Sequence, residues 1–300
     1  MLKGNSDFLA QFTAGQLLLQ GQGSHFYDLE AQKHTQSKVL ASLNSDVRFD
    51  GGLLLFSHPP FVALSYVPFA SLPFATAYMA WSVFSGICFA AGIAKLISHY
   101  RLHEQPDFEL LILGCVIYLP IAVTFWQGQN TGVAFLFLVM AFRNFKQASE
   151  FRAGVWLSLA LVKFQILPVA VLVLLLKRRW RALLAFVAGS LVLLLISLGV
   201  VGLKGFWSYL KLLSEMPGWV GRYGVDPLRA HCIRGQMFLF FHNTMPGIIP
   251  GMTILLSAVL VMVLVRCWTG KWKPESELFR PEICFACHRG FVGGAPHQFS

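Results

Sequence analysis

The stretch AGVWLSLALVKFQILPVAVLVLLLKRRWR, residues 153–181, decides how this chain is read. Its apolar part, 153–176, is long enough to cross a bilayer core of about 30 Å. Lys163 and Pro168 interrupt its middle, and Lys177, Arg178, Arg179 and Arg181 close it. Another basic group, Arg143, Lys146 and Arg152, precedes it. Basic clusters mark the inner ends of membrane segments, so a single crossing with one cluster at each end breaks the pattern. The expectation is therefore a segment that enters and returns at Lys163–Pro168. Each limb is then about 11 residues, or about 16 Å of helix, which is about half the hydrocarbon core. Such broken backbone is tolerated only inside protein or beside a cavity. The alternative is one crossing helix kinked at Pro168.

The rest of the chain agrees with a membrane setting. Of its 300 residues, 56 % are hydrophobic and only 13 % charged, and the mean hydropathy is +0.61. A soluble globule needs roughly a quarter of its residues charged. Further apolar runs are expected at 74–97, 108–126, 131–142 and 182–201, and a last one over 244–265. The fold class expected is an all-α polytopic integral membrane protein with broken or re-entrant helices. The formal charge of +10 does not indicate nucleic acid, because the basic residues sit at the ends of apolar runs. Six scattered cysteines, at 88, 115, 232, 267, 284 and 287, give no disulfide framework.

The segments divide as follows. Residues 1–58 read as an outer loop with an interfacial helix built on Leu9, Phe12 and Leu17–Leu19. Residues 59–201 read as a transmembrane bundle, 202–243 as a second outer loop, 244–273 as a transmembrane helix with a basic inner end, and 274–300 as an atypical tail. Placing Lys95 and Arg101, Arg143, Lys146 and Arg152, the Lys177–Arg181 group, and Arg266, Lys271 and Lys273 inside puts residues 1–58, the Gln127–Asn130 turn and 202–243 outside.

Five motifs occur in one order: Asp7-Phe8 with Ala14-Gly15 and Tyr27-Asp28; His58-Pro59-Pro60-Phe61 with Pro68 and Trp81; Gly128-Gln129-Asn130; Leu161-Val162-Lys163-Phe164-Gln165 with Pro168 and the basic turn; and Gly205-Phe206-Trp207 with His242-Asn243-Thr244. Together, over residues 7–266, they resemble glycosyltransferase family 87, the polyprenol-phosphate-sugar-dependent transferases of the GT-C superfamily. Against that family's pattern the chain is expected to be shortened at both ends. The resemblance implies a GT-C-like bundle and a polyprenyl-phosphate sugar donor, mannose first and arabinofuranose next. It implies a glycolipid or cell-envelope glycan as acceptor and a bacterial plasma membrane as location. No cofactor and no metal are implied.

Sugar transfer from a lipid phosphate needs a base for the acceptor hydroxyl, a cation for the leaving phosphate, and a site poor in water. An inverting displacement needs one carboxylate. By the resemblance Asp7 is that base; the plainer reading of an Asp at a helix start is an N-cap. Lys163, costly at membrane depth, is the first donor-phosphate candidate, against simple snorkelling. His242, Arg222 and Arg229 are further phosphate candidates, against an ordinary solvated loop. Gln129, Gln165, His58 and Asn243 are cavity candidates. Tyr27, Trp207, Tyr209 and Trp219 read as interfacial aromatics before sugar-stacking groups. Cys284-Phe-Ala-Cys287-His288 has the haem-attachment spacing, but its expected inner position argues against that use. A membrane transporter, or an inactive fragment of the transferase, is the alternative.

Overall fold

A computed structural model of the chain describes residue 4, residues 6–225 and residues 232–268. Among these the regular structure is helical, with no strand. The helices are α1 (Phe8–Leu19), α2 (Leu29–Ser42), the short α3 (Pro60–Leu64) and α4 (Val67–Ala70), α5 (Phe74–Tyr100), α6 (Phe108–Ile117), α7 (Leu119–Trp126), α8 (Thr131–Lys146), α9 (Glu150–Leu159), α10 (Leu167–Leu176), α11 (Trp180–Glu215), α12 (Ile233–Phe241) and α13 (Ile249–Trp268). Runs long and apolar enough to cross a membrane are Phe74–Tyr100, Glu150–Leu176, Trp180–Gly218 and Pro246–Arg266; α6 and α7 make a further pair, bent by 43°. Their outer faces carry exposed apolar side chains, such as Leu184, Leu195 and Ile254 at 70 %, 66 % and 71 % exposure. Water would not tolerate so continuous an apolar surface. The protein is an all-α polytopic membrane protein.

Helix directions follow from the packing. α5 and α8 run parallel, with Ser85 against Gly132, Gly92 against Phe135, and Tyr100 against Phe142. α6 and α7 carry the chain back, and Tyr78 Oη near the start of α5 donates to Trp126 O over 2.8 Å. α9 and α11 also run parallel. Gly154 lies so close to Ala182 that a Cβ would overlap its carbonyl, and Gly189 is similarly filled by Ser158. Arg179 Nη1 meets Glu150 Oε1 at 2.6 Å at their common start.

This last contact fixes the shape of 150–179. Its length fits one membrane span, but a straight helix of that length would separate its ends by about 40 Å. Instead the ends meet. α9 rises, a 3-10 segment (Ala160–Ile166) turns the chain, with Lys163 non-helical at φ −113° and ψ 77°, and α10 returns. Leu157, Leu161 and Leu174 of the two limbs share one buried cluster with Ala182 and Phe186. The segment is the re-entrant hairpin that its two basic ends imply. The ends of α5 and α8 and the starts of α9 and α11 therefore gather Lys95, Arg101, Arg143, Lys146, Arg152 and Lys177–Arg181 at one end of the bundle, the basic face. Asp7, Gln129 and Lys163 lie at the other.

One expectation is corrected. α1 is not an interfacial helix: Phe8 to Gly15 are all buried, because it packs between α2, α3 and α4. Its Phe8 and Phe12 rings meet Tyr66, Phe74 and Tyr78 at 5.3–6.2 Å, and each large side chain so buried contributes about 1.5–3 kcal/mol. Residues 203–215, in the expected second outer loop, are helical and follow α11 beyond a break at Gly202, whose φ of +67° suits glycine. The tail 274–300, with Cys284-Phe-Ala-Cys287-His288, lies outside the described residues.

The hairpin is checked by cross-linking. With the native cysteines replaced, Glu150→Cys paired with Arg179→Cys is expected to join through a short bis-maleimide in native membranes. Absence of the link, with both thiols reactive to maleimide, contradicts the hairpin.

Candidate functional site

The Gln127–Asn130 turn organises the site. Gly128 takes φ +65° and lies against Phe8, where a Cβ would come within 2.8 Å of the Phe8 side chain; only glycine fits both demands. The start of α1 docks on this turn. Phe8 N donates to Gln127 O at 3.0 Å, and Asp7 N donates to Gln127 Oε1 at 3.2 Å. These bonds satisfy amides that a helix start leaves unpaired. The Asp7 side chain makes no capping bond, so the N-cap reading falls away. Its Oδ2 instead accepts from Gln129 Nε2 at 2.8 Å. Thr131 Oγ1 donates to Gln129 Oε1 at 3.3 Å, which fixes which end of that amide faces Asp7.

The same turn is tied to two membrane elements. Trp81 Nε1 on α5 donates to Gly128 O at 2.9 Å. Asn130 Nδ2 donates to Val162 O at 3.1 Å and so holds the backbone next to Lys163. The result is a cavity of about 590 Å³, within the range of sites that take a small ligand. α1, the 54–58 segment, the turn, the hairpin apex and the 216–225 and 232–235 segments line it.

Of the expected site residues, Asp7, His58, Gln129, Lys163 and Gln165 line this cavity. Arg222, His242 and Asn243 do not. Arg222 is exposed, on a turn where it pairs with Val225. His242 ends α12, with Nδ1 at 2.8 Å from Phe238 O and its ring stacked on Phe238 at 5.1 Å; a satisfied helix-end histidine accounts for it. Asn243 is exposed. Arg229 lies outside the described residues. Tyr27 and Tyr209 are core residues whose rings pack at 4.8 Å, Trp207 is exposed, and Trp219 packs on Tyr223 at 5.3 Å.

Sequence reasoning missed Arg234, Tyr223 and Gln11, all of which line the cavity. Arg234 was one of several cations in a polar loop, and nothing in its neighbours set it apart. Gln11 carried a signal: it is polar, stands in an apolar helix, and sits four residues after Asp7, on the same helical face. Among the described lining residues the charged groups are Asp7, Lys163 and Arg234. Asp7 and Lys163 face the cavity with no ion pair between them. One carboxylate and two cations suit a ligand that carries both a hydroxyl and a phosphate.

His58 differs from these. Its carbonyl accepts from Tyr27 Oη at 2.6 Å. Burial, and next the positive charge of Lys163, push the imidazole from 6.5 down to about 4. It is neutral at pH 7. The unfolded chain takes up the proton near pH 6.5 and the folded chain only near pH 4, so the folded state loses stability as pH falls through that window. The loss attributable to His58 is about 3 kcal/mol. The melting temperature of the wild type in detergent is expected to fall further between pH 7 and pH 4.5 than that of His58→Gln. Equal falls contradict the assignment.

Compared with known families, residues 56–286 match glycosyltransferase family 87. No curated protein and no solved structure matches the chain. The match excludes the transporter alternative and begins after Asp7 and Gln11, so the case for those two rests on the geometry of the cavity. On the extent of that match, the chain belongs to glycosyltransferase family 87 and is a membrane hexosyltransferase.

Proposed function

We propose that the protein transfers mannose from a polyprenyl-phosphate donor to a glycolipid or cell-envelope glycan, at the outer face of a bacterial plasma membrane, with inversion at the anomeric carbon. The observation that carries this reading is that Asp7, held by Gln129 at 2.8 Å, lines one cavity with Lys163 and Arg234. The basic face opposite the cavity supports the outward assignment, because such clusters stay on the inner side.

In this reading the acceptor hydroxyl gives its proton to the Asp7 carboxylate. Its oxygen forms the new bond to the anomeric carbon, and the bond from that carbon to the phosphate oxygen breaks. Polyprenyl phosphate leaves with the electron pair, and Lys163 and Arg234 stabilise its charge. Lys163 meets the phosphate from the hairpin apex, Arg234 from the start of α12. The acceptor oxygen attacks in line with the departing phosphate oxygen, and Asp7 takes its proton. Closure of the site by bound lipid keeps water from the anomeric carbon.

The test is transfer of radiolabelled mannose from polyprenyl-phosphate mannose in membranes. Asp7→Asn is expected to lower kcat by about 10²–10⁴-fold with the donor KM little changed. Lys163→Met is expected to raise the donor KM by about tenfold or more. Full activity in Asp7→Asn overturns the base assignment. Unchanged donor KM in Lys163→Met overturns the phosphate contact. A wild type that transfers no mannose overturns the choice of sugar.

A further inference from the structure

Gln11 is 3 % exposed, lines the cavity, and its Oε1 has no hydrogen-bond partner. This is anomalous in its own neighbourhood. Gln32 is as well buried, and its amide donates to Phe26 O and accepts from Phe56 N. Gln36 likewise donates to Leu54 O and accepts from Leu54 N. Thr13, two residues on, donates to Leu9 O. A buried carbonyl oxygen left unpaired costs stability, and such groups need a reason.

A second orphan faces the same space. His58 Nδ1 is buried without a partner, and His58 lines the cavity from the 54–58 segment. Ser6, Tyr66, Ser82 and Asn130 also have a buried polar atom without a partner, but none of them lines the cavity. Both cavity orphans are neutral groups able to take a hydrogen bond, and the walls near them are the apolar Ala10, Leu55 and Phe56. A neutral ligand rich in hydroxyls suits that combination; a second anion does not. The amide of Gln11 turns about a broad terminal torsion, which brings Oε1 to a ligand without moving α1.

We propose that Gln11, with His58, forms the subsite that binds the acceptor sugar, Gln11 Oε1 accepting from a hydroxyl beside the one that reacts. The position follows from helix geometry. Gln11 stands four residues after Asp7, with side chains about 5–6 Å apart at Cβ. A ring whose reacting hydroxyl meets Asp7 therefore offers a neighbouring hydroxyl to Gln11. The cations lie on other elements, at the hairpin apex and the start of α12. The proposal rests on the glycosyltransferase reading of the cavity, and it makes Gln11 a specificity-determining residue rather than a participant in bond making.

Two measurements on the full-length protein test it. The first needs no activity. Removing an orphaned acceptor from an apolar wall is expected to leave the melting temperature of Gln11→Met equal to or above that of the wild type. A fall of several degrees shows that Gln11 is a structural residue and overturns the proposal. The second uses methyl α-mannoside and its monodeoxy analogues as added acceptors. Gln11→Met is expected to lose about ten- to hundredfold in acceptor kcat/KM, with donor KM unchanged. For one deoxy analogue, wild type and variant are expected to be equally poor; equal penalties across all analogues overturn the assignment. If the wild type transfers no mannose, the sugar choice fails separately. Gln11 is then judged by thermal shift with a panel of methyl glycosides. A shift in the wild type that Gln11→Met lacks supports the subsite, and no shift with any glycoside overturns it.

Discussion

The hydrogen bond from Gln129 Nε2 to Asp7 Oδ2 joins residues far apart in the chain, and the site depends on the turn that makes it possible. Gln127 receives the start of α1 through both its backbone and its side chain. Gly128 supplies the left-handed backbone and the space for Phe8. Trp81 grips the turn from α5, and Asn130 grips the hairpin at Val162. Four consecutive residues thus connect an N-terminal helix, a membrane helix and a broken membrane segment. Each bond is buried or partly buried, where an unmade partner costs most. This is why one carboxylate and one lysine, on segments that share no sequence proximity, end at the same cavity.

The hairpin answers a second constraint. A lysine deep in the hydrocarbon is costly, and a non-helical residue there leaves backbone groups unpaired. Both problems vanish if the break lies beside a polar cavity, as it does at Lys163. The two limbs then end on the same face as they began. The Glu150–Arg179 ion pair, with side chains about one-fifth exposed, closes the open end, and small residues let the rising limb α9 approach α11. Gly154 against Ala182 and Ser158 against Gly189 give the close helix contact that membrane packing favours.

Much of this was legible in the sequence, for identifiable reasons. Charge placement is a strong signal in membranes, so the two basic ends of 153–181 carried the hairpin correctly. The order of motifs carried the family. Asp7, His58, Gln129, Lys163 and Gln165, each legible as a site candidate in the sequence, line one cavity. What failed involved residues whose role depends on tertiary neighbours. α1 has mixed composition and looked interfacial; it is buried because three helices surround it. His242 looked reactive, yet a carbonyl and a phenyl ring of its own helix satisfy it. Arg222 and Arg234 are both exposed, and only the fold sets Arg234, which donates to Pro217 O at 3.0 Å, at the rim of the cavity. Gln11 was visible by spacing alone but meant little until its lack of a partner was seen.

The central claim is that the Asp7–Lys163 cavity is where the lipid-linked sugar is held. Photo-cross-linking with a diazirine-bearing polyprenyl-phosphate mannose, followed by peptide mapping, tests it most directly. The account predicts adducts on peptides that contain residues 163–165 and 232–235, suppressed by unlabelled donor. Specific adducts confined to the 242–268 segment, with none on those peptides, would contradict it.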